Sequence, residues 1–409
     1  MGKIELDHTG SGSGVTLSSD GTDLLLDGTA IGGGGAALEL YAENPSSATD
    51  PSAVGNNSVA IGSGSVSGSA ASDANAVAIS TSATVSGSDG IAIGRLTSAA
   101  QYGTAIGRLS VASAYGSTAL GANTDATANE AVAIGWTAQS TGVAAVALGN
   151  SYASGADSFA AAIASNSSSY GATGANSVAI GYQAKATGEA AYALGRITSA
   201  SGDYSTCLGN SSYTTSNATY SVSMAASYVD SPYSLGFGGG SQIYSGNDYS
   251  IVLGRGAKSR IKGGVHFGGA NCFSAGQNQT GIYILGSDTT DATAEALTTN
   301  NSTPSTDNQI VLPNNSVYSF HGTVVARQDA TDGSACAAWE VKGLIRREAN
   351  AGTTTLVNSA TTILDNTPSW GMALSADTTN GGLKIEVTGA ASTNIKFLAT
   401  VHTTELTYN

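Results

Sequence analysis

A short apolar triplet recurs about every 14 residues between residues 55 and 286. Its clearest form is NSVAIG, at 57–62 and again at 176–181, where apolar residues flank a small one and a glycine follows. Alternation with period two predicts a short β-strand with one face buried, and the glycine permits a turn with positive φ. The small, polar segments between triplets leave room for a second short strand and a second turn.

Taking the Ile or Leu of each A-I-G unit as an anchor, we find that most steps between anchors are close to 14 residues. The clear anchors are Ile61, Ile79, Ile93, Ile106, Leu120, Ile134, Leu148, Ile163, Ile180, Leu194 and Leu208. Weaker anchors follow at Met224, Phe237, Leu253, Phe267 and Leu285.

A 14-residue unit is too small to have a core of its own, but it suffices for one coil of a β-solenoid. Coils of this kind stack about 4.8 Å apart through backbone hydrogen bonds. So thin an interior is expected to admit only Ala, Val, Ile and Leu. An α-helical alternative fails because Gly, Ser and Thr dominate the repeats. The pattern therefore predicts a solenoid over residues 53–286.

The two ends follow other patterns. Residues 1–52 have apolar clusters separated by Asp-Gly turn signals, which indicate short strands that either attach the protein to something else or cap the first coil. The polar, unpatterned residues 287–308 predict a linker. Acidic residues there, Asp288, Asp291 and Glu295, offer a calcium site as a less favoured alternative.

From residue 309 to 409 the strands are longer and alternate clearly, which predicts an antiparallel β-sandwich, jelly-roll-like. Trp339 and Trp370 are expected in its core, and Trp136 is expected to be exposed on the solenoid. The other expected core positions are Tyr318, Phe320, Val324, Ala326, Ala337, Val341, Gly343, Ile345, Met372, Leu374, Leu383, Ile385, Val387, Ile395, Phe397, Ala399 and Val401.

Composition narrows the classes of function. The chain has 54 Gly among 409 residues and a net charge of −14, which argues against nucleic acid as a partner. There is neither an 18-residue apolar run nor a recognisable secretory signal, so membrane insertion is not expected. We expect Cys207, Cys272 and Cys336 to be free thiols in a protein made in a reducing cytosol.

Candidate catalytic chemistry is sparse. A glycosidase needs two carboxyls roughly 5–10 Å apart in a cleft, and Asp125, Glu130 and Glu189 are better interpreted as solvated turn residues. The four histidines lack metal-ligand spacing; one axial histidine of a threefold trimer binding an ion in three copies is a less favoured alternative. We expect no catalytic residue, no metal and no cofactor.

The NSVAIG repeats resemble the left-handed parallel β-roll head repeats of trimeric bacterial adhesins, over roughly 55–286. This resemblance implies a homotrimer. The export signal, heptad stalk and membrane anchor of that family are not recognised here. The stretch ALELYAENPSSATDPSAVGNNSVAIG at 37–62 resembles marine phage virion proteins, and the run from IVLPNNSVYSFHGTVVAR onwards resembles C-terminal domains of phage fibres.

These resemblances imply a virion fibre made in the host cytoplasm, a tail fibre in preference to a capsid fibre. One end would hold other virion proteins, and multivalent binding would attach the fibre to a host-surface glycan or protein. Two alternatives are a fragment of a bacterial surface adhesin and a tailspike that depolymerises polysaccharide.

Three features suggest receptor contacts. Nine of the 17 tyrosines fall in 182–249, where they either present apolar faces to sugars or fill a wider roll, as the core-type position of Tyr192 favours. A basic cluster could bind anionic glycans or carboxylates of a neighbouring subunit. Loops at 328–334, 349–353 and 376–382 are the default contact surface. The candidate contacts are Asp332, Asn350, Thr379, Asn380, Tyr233, Tyr244, Arg255, Lys258, Arg260 and Lys262.

Overall fold

The computed structural model of the chain describes residues 4–6, 15–19, 24–26, 29–30, 51–67, 75–161, 169–269, 273–329, 335–366 and 368–408. These residues fall into two compact units, Met1–Thr137 and Ala138–Asn409. Asp332, His8 and Cys272 lie outside the described residues.

The N-terminal segment has four short antiparallel strands that pair in sequence order. The Asp20-Gly21 and Asp27-Gly28 turn signals lie outside the described residues. The choice between attachment segment and cap stays open. The strands are Ile4–Leu6, Val15–Ser19, Leu24–Leu26 and Thr29–Ala30.

The rest of the first unit is a β-solenoid with two parallel ladders, which we call the anchor ladder and the second ladder. The anchor ladder comprises Val59–Ile61, Val77–Ile79, Ile91–Ile93, Thr104–Ile106, Thr118–Ala122 and Val132–Trp136. The second ladder comprises Ser52–Ala53, Val66–Ser67, Thr84–Val85, Ser98–Ala99, Val111–Ala112 and Asp125–Ala126.

The second unit begins with the same two ladders. Its anchor ladder comprises Val146–Leu148, Phe159–Ala161, Val178–Ile180, Tyr192–Arg196, Thr206–Asn210, Val222–Met224, Leu235–Phe237, Ile251–Leu253 and Val265–Gly268. Its second ladder comprises Gln139–Ser140, Tyr152–Ala153, Gly171–Ala172, Lys185–Ala186, Ser199–Ala200, Tyr213–Thr214, Tyr228–Val229 and Gln242–Ile243.

The strand register confirms the anchors, with two exceptions. Within each unit the predicted anchors pair with one another from coil to coil, as in Leu120↔Ile134. Ile163 lies outside the described residues, and Ala161 occupies the anchor position between Leu148 and Ile180. The assignment of Leu285 was also wrong, because it belongs to an antiparallel strand that pairs with the end of the chain.

The small residue of each triplet, and not the anchor, faces the interior. Ala119 and Ala193 are fully buried, whereas the anchors Ile134 and Ile180 are more than a third exposed. Many other interior positions are Ser or Thr, so the expectation of a purely aliphatic interior was wrong. Their hydroxyls satisfy backbone carbonyls of the tight turns, as Ser177 does by donating to Gly174 O at 2.7 Å.

At Gly121 the glycine after the anchor is required by the spacing of the coils. Gly121 has φ +138°, and a Cβ built on it would overlap the carbonyl oxygen of Gly135 in the next coil. Residues with a Cβ atom are therefore excluded at the position of Gly121, both by its backbone conformation and by the lack of space between the coils.

After Gly268 the chain becomes antiparallel, in nine strands and one short 3₁₀ helix among the described residues. The long sheet has the order Asn278–Thr289, Ile395–Thr407, Ser316–Gln328, Cys336–Arg347, Thr355–Asp365. The small sheet comprises Ala294–Ala296, Ile310–Val311, Gly371–Asp377 and Gly382–Thr388. The 3₁₀ helix is Ala351–Thr353.

Side chains from both antiparallel sheets form one hydrophobic cluster, and it contains the predicted core positions Trp339, Trp370 and Phe397. Trp136 is 62% exposed, as predicted. The linker prediction for 287–308 was wrong, because Ala294–Ala296 pairs with the small sheet and Leu297 is buried in this cluster. The jelly-roll topology stays a prediction.

Candidate receptor-binding surface

A column of four stacked tyrosines lies on the surface of the solenoid in the second unit. We call Tyr204, Tyr220, Tyr233 and Tyr249 the tyrosine ladder. Successive ring centroids are 4.8, 5.2 and 5.2 Å apart, and the ring planes differ by 8° or less. All four side chains are 45–62% exposed. The alternative that these tyrosines fill a wider roll was therefore wrong.

The backbone of the solenoid places the four tyrosines above one another. Each ladder tyrosine occupies the same turn position, with φ between +52° and +60°. The amide of Tyr204 donates to Glu189 O at 2.7 Å, and that of Tyr220 donates to Asp203 O at 2.9 Å in the same way. Because the spacing between parallel coils matches an aromatic stacking distance, equivalent tyrosines in adjacent coils stack face to face.

Stacking determines which part of each ring can meet a ligand. The faces of Tyr220 and Tyr233 are covered by neighbouring rings on both sides. Both side chains are about half exposed, and each phenol hydroxyl can donate and accept a hydrogen bond. At one end the Tyr204 hydroxyl donates to Glu189 Oε1 at 3.3 Å, and that carboxylate raises the pKa of Tyr204.

The sequence contains a signal for this column that the tyrosine count alone does not reveal. Each ladder tyrosine precedes its anchor by four residues, from Tyr204 before Leu208 to Tyr249 before Leu253. A residue type that repeats in phase with the solenoid period forms a column on its surface.

Other exposed tyrosines lie on the second ladder. Tyr213 and Tyr228 are register partners, and burial, followed by the charge of Asp230, raises the pKa of Tyr228. The hydroxyl of Tyr244 donates to Gln242 Oε1 at 2.8 Å. Tyr192, expected in a core-type position, is 44% exposed on the outward side of the anchor ladder.

The predicted basic cluster is divided by the structure. Arg260 is buried against Glu405, with Nε 3.4 Å from Oε2, so it is withdrawn from any receptor surface. Lys262 pairs with Asp248 at 3.0 Å. Both partners belong to the same chain. Binding of the cluster to anionic glycans or to carboxylates of a neighbouring subunit stays a prediction. Lys258 is half-buried, and Arg255 is exposed beside a cleft of about 540 Å³.

Glu405 is the centre of a buried polar network. Its carboxylate accepts hydrogen bonds from Tyr283 Oη at 2.6 Å, Gln279 Nε2 at 2.8 Å and Thr403 Oγ1 at 2.8 Å. Burial and this carboxylate raise the pKa of Tyr283 well above its ordinary value, so the phenol keeps its proton and donates. The network joins the last coils of the solenoid to the final strand of the chain.

The predicted loop contacts are at the surface. Asn350 is exposed ahead of the 3₁₀ helix, and Thr379 is exposed in the turn after Asp377. The Asp377 carboxylate accepts hydrogen bonds from the amides of Thr379 and Asn380 at 2.8 and 2.9 Å, which orders this turn. Asn380 is half-buried and also donates its side-chain amide to Asp377.

Other candidate chemistry remains dispersed. Asp125 is half-buried, and this burial raises its pKa. Within the described ranges, His, Cys, Asp and Glu side chains do not come together in any group of three that could hold a metal ion.

Cys207 is buried and Cys336 exposed, both as free thiols, as expected. Burial raises the pKa of Cys207 to about 11.

The part of the chain that the structure describes has no helix with the length and apolar character needed to cross a bilayer.

Comparison with known proteins identifies the repeats. The sequence model of the YadA head domain repeat (2 copies) matches residues 52–66, 98–124, 126–151, 172–191 and 186–212. No curated protein shows a significant sequence match.

Two solved structures are similar at 9% identity. One is a tailspike protein, gp49 of Acinetobacter baumannii bacteriophage Fri1, a capsular polysaccharide depolymerase; the match covers 84% of this chain and 66% of that one, with a TM-score of 0.21. The other is the tailspike protein of Acinetobacter phage vB_ApiP_P1, covering 88% and 80%, with a TM-score of 0.20. TM-scores this low carry no assignment of activity. The protein is thus an all-β chain whose solenoid contains repeats similar to the YadA head domain repeat.

Proposed function

We propose that this protein is a homotrimeric virion fibre, a tail fibre in preference to a capsid fibre, that adsorbs the particle to the host-cell surface. The solenoid forms the shaft, and the C-terminal β-sandwich forms a tip. The tyrosine ladder is the observation that carries host contact: four exposed phenols at regular spacing suit a repeating, hydroxyl-rich glycan. The marine phage resemblance at 37–62 supports the virion setting.

An apolar stripe on the anchor ladder supports the trimer. Because the small residue of each triplet faces inward, both flanking apolar residues face outward in coil after coil. In the second unit the exposed members include Ile180, Phe237 and Phe267. An apolar surface that continues over many coils is a typical interface between copies of a chain.

The edge strand Thr355–Asp365 supports assembly through the C-terminal domain. Ten of its eleven residues are exposed. Ile363 is in register with the core residue Trp339 and therefore lies on the core side of the sheet, yet it is 63% exposed. A neighbouring copy that covers this side would complete the core and remove an open sheet edge.

An adsorption assay tests the proposal. The purified protein should bind host cells and compete with virions for adsorption, and sedimentation equilibrium should give about three times the chain mass of 40.3 kDa. A monomer in solution would contradict the assembly, and failure to compete with virions would contradict the role.

The same preparation separates the alternatives. We propose that the protein binds without cleaving, so no reducing ends should be released from host polysaccharide. Release of reducing ends would instead indicate a depolymerase. Antibody labelling of the bacterial surface in uninfected cells, without labelling of virions, would indicate an adhesin fragment.

We propose the contact residues as an extension of this function. The turn containing Thr379 and Asn380, the exposed Asn350 and the exposed Arg255 are the members of the predicted set that are available at the surface, together with Tyr233, Tyr244 and the half-buried Lys258.

A further inference from the structure

A polar groove of about 440 Å³ lies on the outer face of the long sheet, opposite the hydrophobic core. Its walls come from Ser316–Gln328, Cys336–Arg347, Thr355–Asp365 and Ile395–Thr407. The residues that line the groove include none of the loop residues or tyrosines discussed above, and all of them belong to the C-terminal part of one unit.

The first row of side chains across the groove consists of groups that can carry positive charge. His321 is the register partner of His402 on one side and of Lys342 on the other. The two imidazoles stack with ring centroids 5.2 Å apart and planes 12° apart. The lysine ammonium and protonated imidazoles only donate hydrogen bonds, so this row favours an anion.

The second row offers hydroxyls and one carboxylate. Thr323 is the register partner of Thr400 on one side and of Glu340 on the other, and Glu340 is in register with Thr362. Hydroxyls both donate and accept hydrogen bonds, and the carboxylate only accepts. This row suits a ligand that carries several hydroxyl groups.

We propose that this groove binds an acidic saccharide. The sugar carboxylate would face the row of His402, His321 and Lys342, and the ring hydroxyls would face the threonines and Glu340. The order of the two rows defines the ligand class: an anionic group alone leaves the second row unused, and a neutral sugar leaves the first row unused.

Charged and uncharged groups surround the imidazoles. Lys342 and Glu340 face them from Cys336–Arg347, each imidazole faces the other, and Thr355–Asp365 contributes the uncharged Ala360 and Thr362. A ligand carboxylate in the first row would therefore meet the ammonium of Lys342 and the ring nitrogens of the two imidazoles.

Calorimetric titration of the purified full chain with oligogalacturonate tests the proposal, with the methyl-esterified oligosaccharide as the neutral ligand. We expect binding of the acid form, at least about tenfold weaker binding of the ester, and a similar loss in Lys342→Gln, since one charge-assisted hydrogen bond is removed. The double variant His321→Asn/His402→Asn should also weaken binding of the acid form, because it removes the two stacked rings of the first row.

Lys396→Gln is the matched control. It removes one positive charge from an exposed lysine whose partner is Asp329 and which does not line the groove. Its affinity should change less than about twofold. Equal binding of acid and ester, an unchanged Lys342→Gln, or an equal loss in Lys396→Gln would each overturn the proposal. Because a soluble saccharide is titrated in the absence of cells, failure here leaves host adsorption to be judged by its own assay.

Discussion

The Arg260 guanidinium lies 3.4 Å from the Glu405 carboxylate, although the two residues are 145 positions apart in the chain. This buried pair ties the end of the solenoid to the last strand. A second hydrogen bond from Arg260, to Gly276 O at 2.7 Å, holds the connecting loop to the same point. This polar cluster therefore contributes to the attachment of the C-terminal domain, together with the antiparallel pairing of Val265–Gly268 with Asn278–Thr289.

Removing the carboxylate should destabilise the protein strongly. Glu405→Leu leaves Arg260 buried without its partner, which typically costs about 3–5 kcal/mol. The expected result is a loss of this size in the free energy of unfolding measured with urea. Glu348→Gln is the control: its ion pair with Arg346 is half exposed on both sides, and a change below about 0.5 kcal/mol is expected.

Stability should fall in acid because of His266. This side chain replaces the inward alanine of the last parallel strand, and its Nε2 lies 3.1 Å from Tyr283 Oη. Burial, opposed by Glu405 and assisted by Arg260, lowers the pKa of His266 from 6.5 to about 4. The unfolded chain therefore binds a proton that the folded chain excludes between these values.

The stability of the folded chain therefore rises with pH over this range. The contribution of His266 is complete above about pH 6.5 and is lost as the pH falls toward 4, by about 3 kcal/mol in total. Urea unfolding across this range measures it. His266→Gln and His266→Phe should both flatten the profile. A wild-type slope in both His266 variants would contradict the prediction.

Gly121 should tolerate no side chain. Gly121→Ala places a Cβ onto the carbonyl oxygen of Gly135 and puts an alanine at the φ of +138° that Gly121 adopts. We therefore expect a loss of at least about 3 kcal/mol in the free energy of unfolding. Gly239→Ala is the matched control, because a Cβ there meets nothing within 4 Å. Equal thermal midpoints for the two variants would show that coil spacing does not exclude the methyl group.

The tyrosine ladder should separate stacking from hydrogen bonding. Tyr220→Leu removes two stacked contacts and is expected to cost about 1–3 kcal/mol of stability. Tyr220→Phe keeps the ring and should retain stability, but it should weaken host-cell binding because it removes the phenol hydroxyl. Cell-binding isotherms measure this effect, and full binding by the Phe variant would contradict a role of the Tyr220 hydroxyl in host-cell binding.

The period of the repeat could be predicted from the sequence because each coil must offer the same hydrogen-bonding strand to the next. In the C-terminal domain, the alternation of apolar and polar residues over long strands predicted Tyr318, Trp339 and Phe397 in the core. Residues 287–308 escaped prediction because their strand is short and their polar side chains bond among themselves, as Asn308 does with Asn300 at 2.9 Å.

The sequence by itself determined the two ladders, the anchor register and the positions of the C-terminal core. The side of each triplet that faces inward became known only from the tertiary structure, because alternation is compatible with either face. In the anchor ladder the small residues, such as Ala119 and Ala193, are the buried ones. The tertiary structure also decided that Arg260 is a buried partner of Glu405 and that His321, His402 and Lys342 share one groove. Contacts between strands far apart in the chain leave no period in the sequence.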